Sequence, residues 1–189
     1  MLSGRLSLRA ARPADGEKLQ ALQGLALRHL ATSHYTASQI ENGLAAIGTL
    51  DRTLIGDSTY YVAELDGRLV GCGGWSFRAR IAGNDETMPE LGQPLEPHCD
   101  AARIRAVFVH PAWARRGITR RLVLTAEAAA RQAGFRRFAL VSTLNAEPFY
   151  RSLGYRPVEQ LHLDLPEARL PVIRMTKECE PPALADRAA

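Results

Sequence analysis

Val107-Phe108-Val109-His110-Pro111-Ala112-Trp113-Ala114-Arg115-Arg116-Gly117-Ile118-Thr119 is the stretch whose reading decides the fold. It runs from an apolar, strand-like segment (Ile104–Val109) through a proline-containing loop. A basic, glycine-containing turn, Arg115 to Arg120, then opens a helix expected over Ile118–Ala133. The first amides of a helix have no intrahelical acceptor, and the dipole puts partial positive charge there, so such a turn suits an anion. Gly117 would let the backbone approach a bulky ligand, and the arginines would add charge-assisted hydrogen bonds. A phosphate or diphosphate is the natural tenant. The commoner phosphate turns do not occur: the chain has no GxxxxGK[ST], and Gly71-Cys72-Gly73-Gly74 lies inside a strand-like run ending at Trp75.

Working outward, Leu6–Arg9 alternates as a short strand. Pro13 and Asp15 open a helix with Leu19, Leu22, Leu25 and Leu27 mostly on one face, ending near His29. Thr36–Ile47 reads as a second helix. Asp66-Gly67 between Thr59–Leu65 and Arg68–Phe77 signals a tight hairpin. Arg80 to Asp100 shows no period and is expected to be a long loop. In the helix after the basic turn, Ile118, Leu122, Ala126, Ala129 and Ala133 form the expected buried stripe, stopped by Gly134. Arg137–Ser142 reads as a short buried strand, Asn145 as the cap of a helix ending before Gly154, and Pro157–Leu165 and Val172–Lys177 as the last strands. The order β-α-α-β-β-β-α-β-α-β-β makes an α/β fold with a mixed sheet. One domain over 1–178 is expected, with 179–189 a flexible tail.

About thirty residues beyond the basic turn stands Glu147-Pro148-Phe149-Tyr150-Arg151-Ser152-Leu153-Gly154-Tyr155. The two stretches, in this order with a helix and a strand between them, resemble the two hallmarks of the GCN5-related N-acetyltransferases (GNAT). The likeness covers roughly Thr59 to Lys177. Two positions depart from the family pattern: Thr119 replaces the usual Gly or Ala, and Ala114 replaces the usual Gln or Arg.

The resemblance implies a mixed central sheet of about six to seven strands flanked by helices, and an enzyme that takes acetyl-CoA as co-substrate. Backbone groups of Val107, Phe108 and Val109 would pair with the pantetheine arm. Arg115, Arg116, Gly117, Ile118, Thr119 and Arg120 would hold the diphosphate. Thr143 and Asn145 would touch the cofactor, capping being the stronger reading for Asn145. Tyr150 would be the general acid and the Val109 amide the oxyanion donor. Transfer by direct attack of a primary amine on a small-molecule acceptor is the expected activity. A protein N-terminal or lysine acetyltransferase and a non-catalytic acetyl-CoA sensor are the alternatives. The base stays open: Arg103 and Arg105 on the fourth strand cannot serve, which leaves Asp100, His98, Glu64 or a water chain.

Bulk composition sets the outer limits. The net charge of +4 suits anionic partners, but the arginines are scattered and no basic stripe interleaves with aromatics, so nucleic acid is not expected. Cys72, Cys99 and Cys179 show no metal-ligand spacing, so no metal is expected. No apolar run approaches the ~20 residues of a membrane span, and no continuous apolar signal segment follows Met1. A cytoplasmic protein without membrane attachment is therefore expected. A homodimer is compatible with such folds, without a direct sign in the sequence.

Overall fold

The computed structural model describes residues 4–47, 50–79 and 92–179. Seven strands form one sheet in the order β1-β2-β3-β4-β5-β7-β6. They are β1 (Leu6–Ala10), β2 (Tyr60–Leu65), β3 (Arg68–Ser76), β4 (Ala101–Val109), β5 (Arg137–Thr143), β6 (Arg156–Asp164) and β7 (Arg169–Glu178). The helices are α1 (Gly16–Leu30), α2 (Ala37–Ile47), α3 (Arg52–Gly56), α4 (Ile118–Gln132) and α5 (Glu147–Ser152). The β2–β3 hairpin turns on Asp66 (φ 49°) and Gly67 (φ 76°), two consecutive left-handed residues as a primed turn requires. Thr36 and Gln39 cap α2 reciprocally: Gln39 N–H donates to the Thr36 hydroxyl (3.2 Å) and Thr36 N–H to Gln39 Oε1 (3.0 Å).

The decisive pairing is between β4 and β5. These strands run parallel, and their register covers only Ala101–Arg103 against Arg137–Ala139. Beyond that point β4 stays with β3 and β5 with β7, so the sheet opens as a V between the C-terminal halves of β4 and β5. A bulge in β4 accompanies the split. The β3–β4 register slips between Cys72 and Gly74, and Ala106 is left-handed at φ 51°. That conformation is unfavourable for alanine and is held by a chain of hydrogen bonds. The buried Gln23 of α1 donates to the Tyr60 hydroxyl (2.6 Å), which donates to the Ala106 carbonyl (3.0 Å). Gly74 makes room for this arrangement. A Cβ there would stand 2.5 Å from the Thr59 carbonyl oxygen and 2.8 Å from the Tyr60 ring.

Helix α4 crosses the sheet with Ile118, Leu122, Val123, Ala126, Glu127 and Ala130 buried. The expected Ala129 and Ala133 are half-buried and exposed respectively. A strict four-residue spacing drifts off the core face of a 3.6-residue helix, so the stripe widens toward Val123 and Ala130. The buried Glu127 accepts from Tyr155 (2.9 Å) and from Lys177 (2.9 and 2.7 Å), joining α4 to β7 and to the residue before β6. The structure adds α3, which the sequence reading lacked, and anchors Cys179, whose amide donates to the Arg136 carbonyl (2.8 Å). Much of the expected long loop, Arg80 to Leu91, lies outside the described residues, as does the tail from Glu180. Among the described residues, no helix is long and apolar enough to cross a membrane.

Candidate active site

The V between β4 and β5 is the throat of a cleft of about 1050 Å³ that runs from the basic turn to the corner joining α1 and α2. Val107, Phe108 and Val109 line it from β4, and Thr143, Asn145 and Tyr150 from the other arm. The His110 amide donates to the Val70 carbonyl on β3 (2.9 Å). Alternation along a strand therefore turns the Val109 N–H to the opposite edge, the one facing the cleft. That edge has no strand partner past Arg103. It is a set of backbone donors and acceptors open to an extended ligand.

At the basic turn, Arg115 (φ 62°) and Gly117 (φ 80°) are both left-handed, and Gly117 is the N-cap of α4. No protein atom lies within 4 Å of a Cβ built on Gly117. Glycine is thus favoured by its backbone angle rather than by crowding within the chain, and the space beside it is open. Arg115, Gly117, Thr119 and Arg120 line the cleft. Two expected contributors do not. The Arg116 guanidinium stacks on the Trp113 ring, 4.7 Å from its centroid, a cation–π contact that draws it aside. The Ile118 side chain is buried beneath the turn among Leu122, Val70 and Val109, leaving only its amide to the site.

Tyr150 sits on α5 at the throat and is 8% exposed. Its ring meets Phe149 and Tyr155 edge-on, with centroids 5.1 and 5.7 Å away. Burial alone pushes its phenol above the ordinary value, and its hydroxyl takes no hydrogen bond from the described residues. A buried phenol without a partner remains protonated and has a proton to donate into the cleft.

Asn145 does not cap α5: Ala146 occupies that position, without a side-chain cap. Asn145 Nδ2 instead donates to the Leu30 carbonyl at the end of α1 (2.9 Å), while its Oδ1 is buried without a partner. An orphaned acceptor at the cleft wall is a feature a bound amide N–H would satisfy. The local cap signal gave way to a partner 115 residues distant in sequence.

None of the three groups considered for the base lines the cleft. Asp100 accepts from the Glu96 amide (2.9 Å) at the closed end of the V. His98 is exposed there, its carbonyl accepting from Arg137. Glu64 accepts from Arg9 on the outer strands. Arg105 does line the cleft, in a nearly sealed ion pair with Asp51 (2.9 Å). Asp51 also caps α3 by accepting from the Thr53 amide (3.1 Å). Burial lowers the pKa of Arg103. Sequence reasoning missed Asp51, His34 and Tyr35. The Asp-x-Thr cap pattern at Asp51 was the signal available for the first, and nothing local marks the other two.

Residues 25–155, well over half of the chain, match the family model described as the Acetyltransferase (GNAT) family, and the chain belongs to that family. Solved structures agree on the fold. A GCN5-related N-acetyltransferase from Rhodopseudomonas palustris is 20% identical with TM-score 0.70, covering 94% of this chain and 98% of the other. The PaiA N-acetyltransferase of Thermoplasma acidophilum, solved in complex with coenzyme A, is 15% identical with TM-score 0.65, covering 92% and 99%. A GNAT family acetyltransferase from Brucella melitensis, solved in complex with acetyl-CoA, is 20% identical with TM-score 0.58, covering 95% and 91%. No curated protein is found to match the sequence.

Proposed function

We propose that this acetyltransferase moves the acetyl group of acetyl-CoA to the primary amine of a small-molecule acceptor, by direct attack in a ternary complex, with Tyr150 as general acid. The observation that carries the proposal is the buried Tyr150 hydroxyl at the throat of a split sheet, without a hydrogen-bond partner among the described residues.

The residues present fit the cofactor. The free edge of β4 at Val107–Val109 offers backbone groups to a pantetheine arm, and Asn145 Oδ1 awaits a donor. The first amides of α4, with Arg115, Thr119 and Arg120, would hold a diphosphate. When bound, acetyl-CoA supplies an acyl carbon already activated as a thioester. The chain's own groups do the rest. The Val109 N–H stabilises charge developing on the acyl oxygen. As the C–N bond forms and the C–S bond breaks, Tyr150 would give its proton to the departing sulfur, and the surplus proton of the acylated nitrogen would pass through water to restore the phenol. The amine must arrive neutral, losing one proton from the ammonium before attack. Asp51 is committed to Arg105, so the proton leaves through water near the mouth, where the His34 ring stands.

Tyr150→Phe tests the assignment. It preserves ring packing and should leave the calorimetric affinity for acetyl-CoA within about twofold, while kcat with the best amine falls about 10²–10⁴-fold. A kcat within threefold of the parent would remove Tyr150 from the chemistry.

A further inference from the structure

The end of the cleft beyond the V, away from the basic turn, differs in character from the cofactor end. Its walls are Leu27, Leu30, Ile40, Leu50, Ile104 and Leu170. Polar side chains are present among them, but the fold already engages nearly all of them. The Tyr35 hydroxyl donates to the Pro171 carbonyl (2.7 Å) and accepts from the Leu144 amide (2.9 Å). Gln39 donates to the Arg169 carbonyl (2.9 Å) and accepts from the Thr36 amide (3.0 Å). Arg105 and Asp51 neutralise each other. Ser33 and His34, 2.8 Å apart, stand exposed at the mouth.

We infer that the acceptor is a monoamine carried on an apolar body, without a second ammonium and without a carboxylate. The inference rests on the acetyl-transfer reading and narrows it. Asp51 is the only carboxylate among the described lining residues, and its charge is met by Arg105. A second ammonium, as in a polyamine, would be desolvated here without a partner. A carboxylate, as in an amino acid, would need a cation, and the uncommitted arginines of the lining, Arg115 and Arg120, belong to the basic turn. Methylenes, by contrast, find leucine and isoleucine on several sides. Burying one CH₂ contributes roughly 0.8 kcal/mol, which is about fourfold in kcat/KM per carbon until the end of the cleft is filled.

The test is a thiol-release assay with straight-chain primary amines from propyl to octyl, beside phenethylamine, spermidine, lysine and a short peptide. The expected result is kcat/KM rising about two- to fourfold per methylene, with spermidine, lysine and the peptide at least about tenfold below the amine of equal length. Leu170→Glu should lower octylamine turnover at least about tenfold and narrow its lead over spermidine, with acetyl-CoA affinity by calorimetry unchanged. Leu30→Glu is the second variant should the first fail to fold. A flat methylene series, or preference for spermidine, lysine or the peptide, overturns the apolar-acceptor inference alone. No turnover of any amine by protein that binds acetyl-CoA overturns the acetyl-transfer reading, and this inference with it.

Discussion

Replacing Glu127 by alanine should destabilise the protein more than almost any other single change on α4. The carboxylate is fully buried and accepts from the Tyr155 hydroxyl at 2.9 Å and from the Lys177 ammonium at 2.9 and 2.7 Å. The Lys177 side chain is only 17% exposed, so alanine strands a cation that water reaches poorly. Breaking a buried pair from one side costs about 3–5 kcal/mol, a large share of the ~5–15 kcal/mol that holds a typical domain together. For a chain of this length the melting temperature should fall roughly 6–20 °C, at about 2–4 °C per kcal/mol. Glu127→Gln keeps an oxygen for Tyr155 and loses only the charge, so about half the loss is expected. Glu127→Ala combined with Lys177→Met should be more stable than Glu127→Ala alone, because the stranded ammonium is gone. Urea melts of the parent, Glu127→Ala, Lys177→Met and the double variant give the coupling energy, expected at about 1–3 kcal/mol. A loss below ~1 kcal/mol in the alanine variant, or a double variant no better than the single, would refute the account of this network.

Three further outcomes follow from the same geometry. Gly117→Val should weaken acetyl-CoA binding at least about tenfold in calorimetry, because a β-branched residue strains the left-handed turn that opens α4. Equal affinity would detach Gly117 from the cofactor site. Gly74→Ala should cost about 1–3 kcal/mol in a denaturant melt, since the new Cβ meets a carbonyl oxygen that cannot move alone; an unchanged midpoint would show that β3 gives way freely. Hydrogen bonds from Arg9 hold the Asp15 carboxyl down to about 2, below its unfolded value. Its contribution is therefore complete above the unfolded pKa of about 3.9 and is lost as pH falls from there toward 2. Asp15→Asn should flatten that acid limb of the urea midpoint, and an unaltered limb would assign it to other carboxylates.

Much of this arrangement was legible where local chemistry decides. Asp66-Gly67 forced a hairpin, and Gly117 before an amphipathic run marked a helix start. Tyr150 was placed by its motif, and the structure sets it beside the cleft. What the sequence could not carry were contacts between distant segments. The V depends on a bulge at Ala106, a residue type with no preference for φ 51°, imposed by Tyr60 from another strand. Asp51 meets Arg105 and Asn145 meets Leu30 only after the sheet has assembled. The burial of Glu127 depends on Lys177, on a strand 50 residues later, which supplies its counter-charge. The insertion of β7 between β5 and β6 is likewise a matter of topology that no local pattern specifies.

The hydrogen bonds of Tyr35 and Asn145 have a mechanical consequence. Both run from the corner after α1 to the short turn from which α5 springs. The wall proposed for the acceptor and the helix that carries Tyr150 are thus stitched together. If Tyr150 is the acid, a broad acceptor that forces the corner outward should tug on α5 and move the Tyr150 hydroxyl out of line. Width should then be penalised in turnover rather than in binding. Branched amines compared with straight ones of equal carbon number would show this as a falling kcat at nearly constant KM.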